Sequence, residues 1–98
     1  MNTEDMIRIE EFCRHHNVEV SFIILLKEHG LVDLATEQET FYVLPDELPR
    51  LEKMVRLHYD LDVNLEGIEI ITDLLQRIED MDNETRILRN RLMRYQQE

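Results

Sequence analysis

Four histidines and one cysteine are the residues best suited to metal or acid-base chemistry. His15 and His16 are adjacent, but neighbours on a helix point about 100° apart and do not chelate one ion together. His29 and His58 stand alone, and no set of four Cys or His ligands occurs at zinc-like spacing. A nucleophilic pairing of Cys13 with His15 or His16 conflicts with its position, where a short helix calls for a small inward side chain. The two glycines, Gly30 and Gly67, lie too far apart to build a phosphate-cradling loop. The expectation is a protein without catalytic residues, cofactor or metal, whose histidines are surface or half-buried structural groups.

Charge is the next chemistry available. The chain has 98 residues, with 22 acidic against 11 basic side chains and a formal net charge of −11. Such a balance repels a phosphate backbone at long range and attracts a basic partner, so nucleic acid is disfavoured. Leu31 to Pro49 carries Asp33, Glu37, Glu39, Asp46 and Glu47 without a Lys or Arg, whereas the stretch from Glu84 holds Arg86, Arg89, Arg91 and Arg94. The plain reading of the acids is a solvated, solubilising surface. No apolar run of about 18 residues occurs and Met1 to Asp5 is polar and acidic, so the expected setting is soluble and cytoplasmic, without a membrane. A lone cysteine fits a reducing compartment.

The elements that position these groups read as mainly helical. Met6 to Ile9 alternates like a short lead-in strand, and Glu10 to His16 reads as a helix with Phe12 and Cys13 facing inward. Asn17 suits a tight turn with positive φ, Val18 to His29 reads as a second helix, and Gly30 stops it. That second helix is apolar on every side through Phe22-Ile23-Ile24-Leu25-Leu26, more than one buried face needs. Either the final helix, of this chain or of a second copy, covers the surplus, or it forms an exposed patch that marks a protein interface. Leu31 to Leu44 loses the helical period and ends in the β-prone Phe41-Tyr42-Val43-Leu44, a small hairpin. Asp46, bracketed by Pro45 and Pro49, is the expected N-cap of a third helix whose inward stripe is Leu48, Leu51, Val55 and Tyr59.

Asp62 to Asn64 breaks the pattern, and Asn64 is placed to cap a long last helix from Leu65. In it Ile71, Leu74, Ile78, Met81, Thr85, Leu88, Leu92 and Tyr95 are spaced 3, 4, 3, 4, 3, 4 and 3 apart, a coiled-coil seam with one polar member. The expected division is a domain over 1–62 and a dimerisation helix over 63–98. Ile78, Met81, Thr85, Leu88, Leu92 and Tyr95 are the expected homodimer contacts, in parallel or antiparallel pairing.

This order of elements resembles the MerR-type winged helix. Ile9-Glu10-Glu11-Phe12-Cys13 stands at the opening of the first helix, and Asn17 to Val32, ending His29-Gly30-Leu31-Val32, matches the turn, recognition helix and exit without a gap. The resemblance implies a mainly α, MerR-like winged helix-turn-helix fold with a β-hairpin wing and a long C-terminal coiled-coil helix. The arginines and aromatic pair of the DNA-reading members are replaced here by Ser21, Ile24, Leu25 and Leu26, and the wing has no basic residue, so base readout lacks its residues.

A closer resemblance is to the chaperone-modulator family CbpM, through Glu11-Phe12-Cys13, Val55-Arg56-Leu57, Leu65-Glu66-Gly67-Ile68 and the tail Leu88-Arg89-Asn90-Arg91-Leu92-Met93-Arg94-Tyr95. It implies a protein that binds the J-domain of a CbpA-like, DnaJ-type co-chaperone and restrains its work with a DnaK-type chaperone. Acidic composition agrees, because J-domains present a basic helix. Asp60, Asp62 and Glu66 are the candidate partner-binding carboxylates, with Arg56 as their polar neighbour. The alternative for Asp62 and Glu66 is that they only favour the N-terminus of the last helix through its dipole. Two competing functions remain: a degenerate MerR-like transcriptional regulator using Arg86, Arg89, Arg91 and Arg94, and a dimerisation scaffold without a J-domain partner.

Overall fold

The computed structural model describes residues 5–96. Strand β1 (Ile7–Arg8) leads into helix α1 (Ile9–His16), a turn, and helix α2 (Val20–Glu28). Strands β2 (Leu34–Glu37) and β3 (Thr40–Val43) follow, then helix α3 (Leu48–Tyr59) and helix α4 (Leu65–Gln96). Packing divides the chain between Ile68 and Glu69 into two compact units.

The turn between α1 and α2 depends on Asn17, whose φ of 57° lies in the left-handed region that asparagine tolerates. Its own N–H and that of Val18 both close onto the Cys13 carbonyl, which satisfies the end of α1. Helix α2 begins two residues later than Val18, which is itself buried in the core. Gly30, at φ 71°, supplies the expected stop, and the Leu31 N–H returns to the Leu26 carbonyl.

The hairpin is present and broader than its apolar residues indicate. Thr36 and Glu37, polar in sequence, are strand residues paired with Phe41 and Thr40. Gln38 and Glu39 form the two-residue turn, both with positive φ, a conformation usually taken by Asn-Gly. The lead-in strand adds to the other edge, Ile7 opposite Val43, so the sheet has three antiparallel strands in the order β1-β3-β2.

Asp46 is not the N-cap of the third helix. It lies inside a 3-10 turn, Pro45–Glu47, that runs directly into α3, and no side chain caps that junction. Proline at position 45 opens this turn because its missing N–H is not needed there. The inward stripe holds for Leu51 and Val55, with Leu48 partly buried, and includes Met54, which the sequence reading omitted. Tyr59 differs from expectation: it is 42% exposed.

The core joins α1, α2, β3, α3 and the start of α4. Phe12, Ile23, Leu26, Val43, Leu51, Met54 and Ile68 are buried in one cluster. Ile23, Leu26, Leu51 and Ile68 have no exposed surface, and full burial of each such side chain contributes on the order of 1.5–3 kcal/mol. Lys27 reaches over the Phe41 ring, 5.2 Å from its centre, and shields that half-buried aromatic. Helix α4 has one buried residue, Ile68. From Leu74 onward the seam residues are exposed.

Candidate protein-binding site

Helix α3 ends where its last carbonyls find partners outside the helix. The Arg56 carbonyl accepts from the N–H groups of Asp60 and Leu61, and the Leu57 carbonyl accepts from Val63 N–H at 2.9 Å. Asp62 makes the reversal with φ 58°, a conformation short polar residues tolerate. His58 locks it: its Nδ1–H donates to the Val63 carbonyl at 2.9 Å, and its ring stacks on Phe22 at 4.4 Å. That histidine is structural, holding the connector to α2. His16 likewise stacks on Phe12 at 4.2 Å.

Asn64 then caps α4 as expected, its Oδ1 accepting from Gly67 N–H at 2.9 Å, while its carbonyl accepts from Ile68 N–H. Val63 and Ile68, on either side of the cap, both pack into the core in the manner of a hydrophobic staple. Gly67 is required by this closeness, since an added Cβ would sit 2.6 Å from Val63 Cγ1 and 3.1 Å from Asn64 Oδ1.

Asp60 and Asp62 are exposed on this connector, Glu66 is exposed in the first turn of α4, and Arg56 is exposed on the last turn of α3. None of the four makes an ion pair with another described residue, in contrast to Arg77 with Asp73 and Arg86 with Asp82 on α4. Glu66 lies in the first turn of α4, where the helix dipole favours a carboxylate, so a local role for it coexists with any partner contact.

Sequence reasoning missed the apolar groove beside these carboxylates. A space of about 390 Å³ opens between α2, the end of α3 and the start of α4, lined by Glu19, Phe22, Leu25, His58, Tyr59 and Leu65. The Tyr59 hydroxyl accepts from Glu19 N–H, and its ring meets Phe22 edge-on at 5.5 Å. The signal available was the all-round apolarity of α2: Phe22, Ile23 and Leu26 are core, whereas Val20 and Leu25 remain exposed.

Cys13 is buried, and burial together with the nearby Glu10 carboxylate pushes its thiol pKa up, away from the thiolate a nucleophile needs. No group of three or more potential metal ligands occurs among the described residues. None of the described helices is long and apolar enough to cross a membrane.

Comparison with known proteins decides the family. A family described as "MerR HTH family regulatory protein" matches residues 7–90. The chaperone modulatory protein CbpM of Pseudomonas entomophila (strain L48) is 29% identical over 86 residues, covering 87% of this chain and 85% of that one. CbpM of Escherichia coli O1:K1 / APEC is 31% identical over 88 residues, covering 89% and 87%. This chain belongs to the CbpM family. No solved structure gives a significant match. The MerR-like fold of this CbpM-family chain retains the helix-turn-helix, hairpin and long helix, and α2 presents Ser21 and Leu25 to solvent where a DNA reader would present basic groups.

The cap gives a test in which two effects oppose. Gly→Ala at an unobstructed helical position stabilises by about 1 kcal/mol. Because the Val63 methyl blocks the space, Gly67→Ala should instead destabilise by about 1–3 kcal/mol, the usual cost of overpacking. Urea unfolding at constant m-value measures it; a gain in stability would contradict the packed cap.

Proposed function

We propose that this protein is a stoichiometric chaperone modulator that binds the J-domain of a CbpA-like co-chaperone and restrains its work with a DnaK-type chaperone. The observation that carries the reading is a set of exposed carboxylates with no ion pair among the described residues, Asp60 and Asp62 on the connector and Glu66 in the first turn of α4, around a turn held by the His58 bond and the Asn64 cap. The CbpM relatives are named chaperone modulatory proteins, which supports the same reading. A net charge of −11 steers a basic helix toward such a surface and speeds encounter. Carboxylates fixed on a preformed turn need little reorganisation on binding. Arg56, on the neighbouring turn of α3, serves as a hydrogen-bond donor beside them.

The protein acts as a homodimer through α4 in this proposal. Ile78, Met81, Leu88, Leu92 and Tyr95 leave an apolar stripe on that helix, with Leu88 61% and Leu92 59% exposed. Thr85, the polar member, donates its hydroxyl to the Met81 carbonyl at 2.9 Å, so burying it in a seam leaves no orphan donor.

Reversing Asp60 and Glu66 to Lys, with Asp62→Asn to respect the left-handed backbone, should lower the J-domain on-rate by about tenfold at low salt. The deficit should shrink as salt rises. Stopped-flow association rates equal to those of the unaltered protein would remove the carboxylates from the site. For the dimer, Leu88→Asp with Leu92→Asp should give a monomer in sedimentation velocity, because charges in an apolar seam are costly. A sedimentation profile unchanged from the parent would rule out this seam.

A further inference from the structure

The groove beside the connector is an anchor pocket, we infer, that takes one apolar side chain of a basic partner helix while the neighbouring carboxylates hold the flanking Lys or Arg residues. The inference rests on the proposed J-domain reading and adds to it a second, apolar component at a defined place. Of its lining, Phe22, His58 and Tyr59 are locked together by ring contacts of 4.4, 5.5 and 4.9 Å. Rings already fixed by mutual packing lose little conformational freedom when a guest arrives. Leu25, also in the lining, is 38% exposed and Tyr59 is 42% exposed, apolar surface that the fold leaves uncovered.

Charge selects the occupant. Glu19 lines the groove, and Asp60 and Glu66 are the exposed chain neighbours of its lining residues Tyr59 and Leu65. Glu19, like the connector acids, forms no ion pair among the described residues; its carboxylate accepts only the Ser21 hydroxyl, at 3.4 Å. A neutral apolar peptide would leave these charges partly desolvated without compensation, and an acidic one would be repelled. A helix bearing one Leu, Ile, Phe or Met between basic residues satisfies both components, the helix-in-groove mode of recognition.

The two components separate kinetically. Rim charges govern the on-rate, whereas an anchor seated in a packed pocket governs the off-rate. Leu25→Ala removes part of a wall, and Leu25→Lys places a cation against a basic guest; both substitutions sit at an exposed helical position that either residue suits. Glu52→Lys, in the separate cleft lined by Ile7, Glu11, His15 and Leu48, is the control for net charge alone.

The test is surface-immobilised full-length protein with the isolated J-domain as probe, at low and high salt, with circular dichroism to verify each fold. Leu25→Ala should raise the off-rate about tenfold with the on-rate within about twofold of the parent, and Leu25→Lys should raise it further. Glu52→Lys should leave the off-rate unchanged. Binding by the parent with equal off-rates in both Leu25 variants would overturn the anchor pocket and leave the J-domain reading standing. No binding by the parent would overturn both. If Leu25→Ala instead shifts the self-association equilibrium in sedimentation, the occupant is a second copy, and the partner assignment fails.

Discussion

Helix α4 buries one side chain among its 32 residues, and that side chain is in its first turn. Ile68 is fully enclosed in the core that α1, α2, β3 and α3 build, with Val63 on the other side of the Asn64 cap. The burial of Ile68 sets where α4 starts, and Gly67 makes the approach possible by leaving room for the Val63 methyl. From that restraint follow the geometry of the connector, the Asp62 reversal and the display of the acidic residues. Loss of the staple would free the connector from the aromatic cluster on α2, because His58 reaches the turn through the Val63 carbonyl.

The same restraint unites two kinds of surface that otherwise have little in common. Carboxylates in water act over several ångströms and accelerate encounter, but contribute modestly to the lifetime of a complex. Apolar surface acts only on contact and lengthens it. Phe22, His58 and Tyr59 tie α2 to the end of α3 in one aromatic cluster beside the apolar groove, and the proposed function adds the nearby carboxylates to it. In the proposed reading, protein recognition falls on the helix that in DNA-reading members carries arginines.

Much of the fold was legible in the sequence because its signals are local. Asn17 and Gly30 mark turns through their tolerance of positive φ, Asn64 marks a cap, and the 3-4 spacing from Ile71 marks a long helix whatever surrounds it. The two misreadings have separate causes. Tyr59 fits the inward stripe of α3 by period, yet its hydroxyl must reach a polar partner and finds it at the Glu19 N–H, which leaves the ring half out. Asp46 has an N-cap's residue type, but the proline before it starts a 3-10 turn one step early. The carboxylates were visible as charges; the groove was not, since it exists only once α2, the end of α3 and the start of α4 are brought together in space.

The most direct test of the account is a calorimetric titration of the full chain with the J-domain of its own CbpA-like co-chaperone at two salt concentrations, with duplex DNA as a parallel titrant. Saturable J-domain binding that weakens with salt, and no heat with DNA, is the outcome the acidic connector predicts. Saturable DNA binding with silence toward the J-domain would contradict it, and would return the protein to the regulators whose fold it shares.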